Sequence, residues 1–295
     1  MKELIEIDGV HNPLLSVLMT AYNRQEFISE AIESVLLSTY ENFELIIVDD
    51  CSKDSTVSII QSLAEKDNRI RFYLNENNLG DYPNRNRAAS FARGELLIYV
   101  DSDDTIHSDA LGYIVDSFTK FPSASYATIY RGGNKSMPSL IGSHEIIEKH
   151  FFKESILHFG PGGTVIKKRF FDQIGGFPES YGPANDMYYN IKAASNTSVI
   201  LIPYDYLNYR IHSGQESNNV YSYLYQGNNY FRDILLLSEL PISEVQRKFL
   251  LQKSKKRFLV NWMRYFIKTK KIKKSIDLFK LANFGVKDFF EGLIA

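Results

Sequence analysis

"LLIYVDSDDTIHSD", Leu96 to Asp109, begins as an unbroken apolar run and ends in acid. A short apolar run bounded by turn residues reads as a strand buried on both faces, the usual state of strands in a parallel sheet covered by helices. Asp101, Asp103 and Asp104 fall within four positions, where that strand stops. Carboxylates about 5 Å apart repel by roughly 3 kcal/mol per pair at an effective dielectric near 20. Either solvent screens them, or something positive is meant to sit there.

Upstream the same alternation repeats. "LLSVLMTA" (Leu14 to Ala21) reads as a strand, followed by a helix in "EFISEAIESVLLS" with apolar residues at Phe27, Ile28, Ala31, Ile32, Val35 and Leu36. "FELIIVD" (Phe43 to Asp49) is a second strand, and "DSTVSIIQSLAEK" a second helix capped by Asp54 or Ser55. "IRFYL" is a third strand. "PNRNRAASFARG" is a helix with Pro83 near its first turn and Gly94 at its end. Ser108 is the expected cap of a helix at "DALGYIVDSF". Such alternation implies a parallel sheet with helices on both faces, whose ligands gather beyond the carboxyl ends of the strands. "TAYN", "VDDCSKD" and "DSDD" lie at three of those ends, so they are expected to form one site.

From about Gly132 the pattern loosens: "RGGNKSMPSLIGS" reads as loop and "FGPGGTVIKK" as a glycine-rich turn into a strand. "NDMYYNIKAAS" is a short helix, "SVILIP" a strand, "YRIHSGQES" a polar exit loop, and beyond Tyr221 the chain reads helical.

At 295 residues the chain has room for one large α/β domain with an appendage, and 44% hydrophobic content with 14% aromatics argues against disorder. The net charge of -1 hides an asymmetry: from Arg247 to Lys280 there are 13 Lys or Arg against one acid, Asp277. The body is correspondingly acidic. A single cysteine, Cys51, excludes an intramolecular disulfide and fits a reducing compartment. "MKELIEIDGVHNP" has no apolar core of signal-peptide length, and no apolar run approaches the roughly 18 residues of a spanning helix. These features predict a cytoplasmic protein. The tail's cations interleave with Phe, Leu, Ile, Trp and Tyr, as in helices that lie on anionic membranes at the inner face of a cell membrane. The alternative is that its apolar stripe packs on the body and its lysines are simply solvated. Nucleic-acid binding would suit the charge but has no recognisable domain behind it, and none is expected.

Clustered carboxylates without nearby His or Cys suit a hard divalent cation, Mg2+ or Mn2+, of the kind that bridges to substrate phosphates. The alternative is an acidic turn of N-capping aspartates. Neither GxGxxG after the first strand nor GxxxxGK[ST] is present, so a bound nucleotide would need a metal at its phosphates.

The order "SVLMTAYNR", "FELIIVDDCSKDST", "NLGDYPNRNRAASFARGELLIYVDSDD" resembles the family-2 glycosyltransferases, inverting nucleotide-sugar-dependent enzymes of the GT-A fold. The likeness runs from about Leu14 to Ser217 and is strongest to Asp116. It implies an α/β GT-A domain over 1–220, with a mostly parallel sheet flanked by helices. The nucleotide-sugar half would lie at about 14–130 and the acceptor half at about 131–220, with a basic helical extension over 221–295. Carried over, Thr20, Ala21 and Tyr22 line the base pocket, with Asn23 beside them. Asp50 accepts from the base, usually uracil, and Arg85 lies near the diphosphate. Asp101 and Asp103 form the Asp-x-Asp motif, with Asp103 the direct metal ligand. Asp101, Ser102 and Asp104 reach ribose, water or sugar hydroxyls, and His212 lies near the diphosphate and metal. Asp186 takes the proton of the acceptor hydroxyl. Asn185 stands where relatives commonly carry Glu, a departure that keeps a catalytically silent nucleotide-sugar-binding scaffold open. Each residue also has a plainer role: Tyr22 a strand-end aromatic, Asp49 or Asp50 a turn residue, Arg85 a solvated helix residue, Asn185 and Asp186 helix caps, His212 structural. Gln-x-x-Arg-Trp of processive members is absent, which implies transfer of one sugar to a saccharide or lipid-linked acceptor in polysaccharide or cell-surface glycan synthesis. A sugar-nucleotide nucleotidyltransferase is a further alternative, but "TAYNRQEF" lacks the glycine-rich basic loop of that class.

Overall fold

The computed structural model describes residues 12–132, 136–211 and 220–294. The first half follows the predicted alternation: β1 (Leu15–Ala21), α1 (Ile28–Leu36), β2 (Phe43–Asp49), α2 (Thr56–Ala64), β3 (Ile70–Leu74), α3 (Asp81–Ser90) and β4 (Leu96–Tyr99). Every residue of β2 and of β4 is buried, so their apolar runs have no polar face to show. β5 (Thr105–Ile106), α4 (Ala110–Lys120), β6 (Tyr126–Ile129), β7 (Ser139–Ile141), α5 (Ser143–Phe152), β8 (Thr164–Lys167) and α6 (Lys168–Gln173) follow. Then come α7 (Asn185–Asn196), β9 (Val199–Ile202) and β10 (Leu207–Asn208).

Among the described residues eight strands form one sheet in the order β3-β2-β1-β4-β8-β6-β9-β7, and β10 pairs with β5 in a small second ladder. The pairs β3–β2, β2–β1, β1–β4 and β6–β9 are parallel. β8 runs antiparallel between β4 and β6, and β7 closes the far edge antiparallel to β9. The sheet is thus mostly parallel, as predicted, with one reversed strand at its centre. One hydrophobic cluster packs Ile28, Ile32 and Ile114 from α1 and α4 against one face of the sheet. Another packs Ala88, Phe170 and Tyr189 from α3, α6 and α7 against the other.

Two local expectations change, and a third, left open, is decided. The stretch read as loop from Arg131 to Ser143 contains β7, an edge strand of only three residues, too short for its alternation to register. Ser108 does not cap α4; Asp109 occupies that position and the Ser108 carbonyl accepts from Thr39 N instead. At α2, Asp54 rather than Ser55 supplies the cap, its Oδ1 accepting from Thr56 N at 3.0 Å.

Gly94, the expected helix end, lies beyond the last residue of α3, Ser90, and its smallness serves a close approach. A Cβ there would stand 2.6 Å from Ser16 N and 2.7 Å from Leu14 O, both backbone atoms of the β1 region. Gly94→Ala is therefore expected to lower stability by about 1–3 kcal/mol, the usual range for overpacking, read as a lower urea midpoint at unchanged slope.

The chain ends in α8 (Val220–Leu235), α9 (Glu244–Thr269), α10 (Ile272–Leu281) and α11 (Val286–Ile294). A capping box starts α9: Gln246 N donates to Ser243 Oγ at 3.2 Å and Ser243 N to Gln246 Oε1 at 2.8 Å. Leu250 joins the main core, whereas Phe258, Leu259, Leu278, Ala282 and Phe284 build a separate small core within the extension. The body therefore takes the first turns of α9, and the remainder of the extension packs largely on itself and on α8.

Candidate active site

The loops that leave β1 and β2 are laced together. Asn23 N donates to Ser52 Oγ at 2.8 Å, Lys53 N to Asn23 Oδ1 at 2.8 Å, and Arg24 N to Thr56 Oγ1 at 2.7 Å. Asn23 and Cys51 both hold left-handed backbone, with φ of 53° and 69°. For Cys51 this is unusual, and such strain tends to collect at functional sites. Thr20 is partly buried and Ala21 buried, while Tyr22 projects into solvent at the lip of the loop.

Asp49 and Asp50 divide their work. The Asp49 carboxylate turns onto Ser52, accepting from its backbone N at 2.8 Å, which is the turn role foreseen for this pair. Asp50 is buried and accepts from Asn75 Nδ2 at 2.7 Å, Leu79 N at 2.8 Å and Gly80 N at 2.9 Å. It anchors the segment that feeds α3, with Gly80 at φ 89° making the bend.

Arg85, on α3, is the hub. Its side chain is 9% exposed, so the solvated-helix reading does not hold. Nε donates to Asp81 Oδ1 at 2.8 Å, Nη1 lies 2.8 Å from Asp101 Oδ1, and the guanidinium sits over the Tyr99 ring at 5.6 Å. One positive partner of the acid loop is thus built into the protein, at Asp101. Asp103 Oδ2 accepts from Arg24 Nε at 3.0 Å, and Asp104 Oδ1 accepts from Arg210 N at 2.9 Å. Ser102 is buried between them. Burial, with the fields of Asp103 and Asp81, still holds Asp101 above the usual carboxylate range despite Arg85. Burial likewise lifts Asp104 to about 7, helped by Asp101 and Asp103.

Asp186 lies in the first turn of α7, within the field of the same arginine. Its N–H points to Tyr82 Oη at 3.3 Å, and its Oδ1 accepts from Met187 N at 2.7 Å. Burial pushes its carboxyl up to about 7, with Arg85 pulling the other way. Such a group is poised to exchange a proton near neutrality. Asn185 is buried and accepts from Tyr181 N at 2.9 Å, so it shapes the turn before the helix.

Through α3, then, the Asp-x-Asp loop and Asp186 face one site. His212 lies outside the described residues. Arg24, Asp81, Tyr82 and Arg210 were not singled out from sequence. Asp81 lies four residues before Arg85, the spacing of a helical ion pair, and could have been found. Arg24 and Arg210 reach the acid loop from 79 and 106 residues away and leave no local signal.

A hard cation fits this donor set. The oxygens are carboxylates, two of the acids are held high by crowding and burial, and Mg2+-like ions commonly take one or two protein carboxylates plus phosphate oxygens and waters. Among the described residues no three His, Cys, Asp or Glu close into a cage, so the protein alone does not complete a coordination sphere.

Residues 16–175 match the model of the family "Glycosyl transferase family 2". A Campylobacter jejuni GalNAc(5)-diNAcBac-PP-undecaprenol beta-1,3-glucosyltransferase is 30% identical over 190 residues, 61% of this chain and 60% of the relative. A putative teichuronic acid biosynthesis glycosyltransferase of Bacillus subtilis, TuaG, is 39% identical over 99 residues, 34% of this chain and 39% of the relative. The chain spans less than two thirds of the length of these curated relatives. Among solved structures, S. aureus TarS 1-349 in complex with UDP-GlcNAc superposes with a TM-score of 0.72 at 21% identity, over 94% of this chain and 81% of that one. The mannosyltransferase PcManGT of Pyrobaculum calidifontis, in complex with GDP-Man and Mn2+, gives 0.61 at 15% identity, over 96% and 84%. These likenesses carry the fold, an α/β domain of GT-A type with helices added at the C-terminal end. With more than half its length matched by the family model, the chain belongs to glycosyl transferase family 2.

Proposed function

We propose that the protein is a divalent-metal-dependent inverting glycosyltransferase that moves one sugar from a nucleoside-diphosphate sugar to a saccharide or lipid-linked acceptor. The observation that carries the reading is α3: its buried Arg85 guanidinium lies against the Asp-x-Asp loop, 2.8 Å from Asp101, and its Tyr82 Oη accepts from Asp186 N at 3.3 Å. The named activities of the relatives, a glucosyltransferase acting on an undecaprenol-linked glycan among them, support it. So do the UDP-GlcNAc and GDP-Man carried by the structural neighbours. The donor is taken as UDP-linked, with the base in a pocket lined by Thr20, Ala21 and Tyr22, the Tyr22 ring against it and Asp50 accepting from it.

Asp186 accepts the acceptor's hydroxyl proton as that oxygen bonds to the anomeric carbon and the bond to the nucleoside diphosphate breaks. Attack opposite the leaving group inverts the centre. Asp103 and Asp101 would hold a Mn2+ or Mg2+ ion, which would supply charge neutralisation for the departing diphosphate. Arg85 and its tyrosine walls keep Asp101 oriented, while Arg24 holds Asp103. An acceptor on a membrane lipid would bring the protein to the inner face of the cell membrane, where the basic extension meets anionic lipid.

A thermal-shift panel of nucleotide sugars with and without Mn2+ tests the reading, because ligand affinity adds to folded-state stability. The wild-type Tm is expected to rise with UDP-sugar plus Mn2+ and far less with either alone. Asp103→Asn should erase the metal-dependent part. An equal shift in both proteins would contradict the role of Asp103. Pyrophosphate exchange in place of nucleoside-diphosphate release would favour a nucleotidyltransferase, and neither activity a scaffold.

A further inference from the structure

The end of α9, the turn to α10 and the first turns of α10 read "MRYFIKTKKIKKSI", residues 263–276, with six cations and no acid. The structure leaves large apolar side chains of this corner in solvent: Ile267 is 71% exposed, Ile272 65%, Ile276 55% and Met263 43%. Lys268, Lys270, Lys271 and Lys273 are exposed around them. Exposed apolar residues ringed by cations mark an interaction surface, and the two features together specify its partner. A nucleic acid would use the charge and leave the isoleucines in water, and an apolar protein face would leave the lysines unmatched. A bilayer with anionic headgroups satisfies both.

The corner is held rather than loose. Trp262 Nε1 donates to Ser275 O at 2.8 Å, tying α9 to α10, and Trp262 stacks on Phe266 at 6.0 Å. Lys270 makes the turn in a left-handed conformation, φ 53°. No helix among the described residues is long and apolar enough to cross a membrane, so the corner would rest in the interface with its isoleucines among the acyl chains.

α8 ties the far end of α10 to the turn before the candidate base. At one side Asn228 and Asn229 donate to Ala282 O and Leu281 O at the end of α10, at 3.2 Å and 2.8 Å. At the other, Asp233 accepts from Tyr181 Oη at 3.0 Å, in the turn that leads into Asp186. We infer that the α9–α10 corner docks the protein on an anionic lipid surface, with Ile267 and Ile272 inserted and the flanking lysines on headgroup phosphates. This gives the extension a working surface, and it rests on the proposed reading only for the lipid-linked acceptor it would serve.

Co-sedimentation of the full chain with phosphatidylcholine vesicles, with and without phosphatidylglycerol, tests it. Binding is expected only with the anionic lipid and should weaken at high salt. Lys268→Gln/Lys273→Gln should weaken it about thirtyfold, the ~2 kcal/mol of two surface cations at 1.4 kcal/mol per tenfold. Ile267→Ser/Ile272→Ser, both at solvent-facing positions, should weaken it more than tenfold with the lysines intact. Equal binding to neutral vesicles, or unchanged partition in both variants, overturns the inference. So does lipid-free self-association, by sedimentation velocity, that the isoleucine variant abolishes, which would make the corner a contact between copies of this chain. The Tm response to UDP-sugar and Mn2+ is read on the same samples. Its loss with vesicle binding retained defeats the transferase reading alone, and the converse result defeats the membrane surface alone.

Discussion

Asp186→Asn is expected to lower turnover by about 10²- to 10⁴-fold, the range a positioned general base contributes, while leaving the Tm response to UDP-sugar and Mn2+ intact. The amide keeps the shape and can still accept from Met187 N, so the helix start survives. What it loses is the proton acceptor. In the wild type, catalysis should rise with pH through about 7, the value to which burial lifts this carboxyl. The sign for stability is opposite. A carboxyl raised in the folded state favours folding while protonated, and that contribution is lost as pH climbs from the unfolded value near 4 through about 7. Asp186→Asn should therefore be at least as stable as the wild type at pH 8, measured by thermal melts, while being far slower. A variant both slow and markedly unstable would contradict the assignment of Asp186 as a base placed at the cost of folding free energy.

Arg85→Met is expected to destabilise the fold by about 2–4 kcal/mol, somewhat below the usual cost of breaking a fully buried ion pair because the Asp101 side chain is 28% exposed. Methionine fills the volume between the rings of Tyr82 and Tyr99, but Asp101 is left with no counter-charge there. Asp81 matters less, being half exposed. Because Asp101 is already held above its usual range, losing Arg85 raises it further and favours its protonated form. The defect should accordingly be smaller in mild acid than at pH 8, since a neutral Asp101 needs no partner. Arg85→Met/Asp101→Asn should recover most of the lost stability. Denaturant melts of the four proteins at two pH values provide the double-mutant cycle. A double variant no more stable than Arg85→Met would show that Arg85 acts through packing on the tyrosines rather than through charge.

The plainer readings sort out by burial. Arg85 looks like a surface helix residue in "PNRNRAAS", a segment with little amphipathic pattern, because the apolar ring faces that bury it, Tyr82 and Tyr99, come partly from another element. Asp50 lies at the strand end as foreseen. Its bonds to Leu79 N and Gly80 N reveal an anchoring duty that no motif announces, since backbone donors carry no residue type. β6, "YATI", passed unremarked in sequence because four residues with one threonine do not separate a strand from a loop.

Long apolar runs determined β1, β2 and β4, because strands covered on both faces tolerate few polar residues and so write their burial directly into composition. The acid loop and the basic extension were likewise legible, as local concentrations of charge. Only the tertiary structure decided which cation meets which acid and which faces of the extension stay in water. Arg24 finds Asp103 across 79 residues, and Ile267 remains exposed while Phe258, on the same helix, is buried. Pairings at such range depend on how strands order in the sheet and helices pack on it, and that order is a property of the assembled core rather than of any one segment.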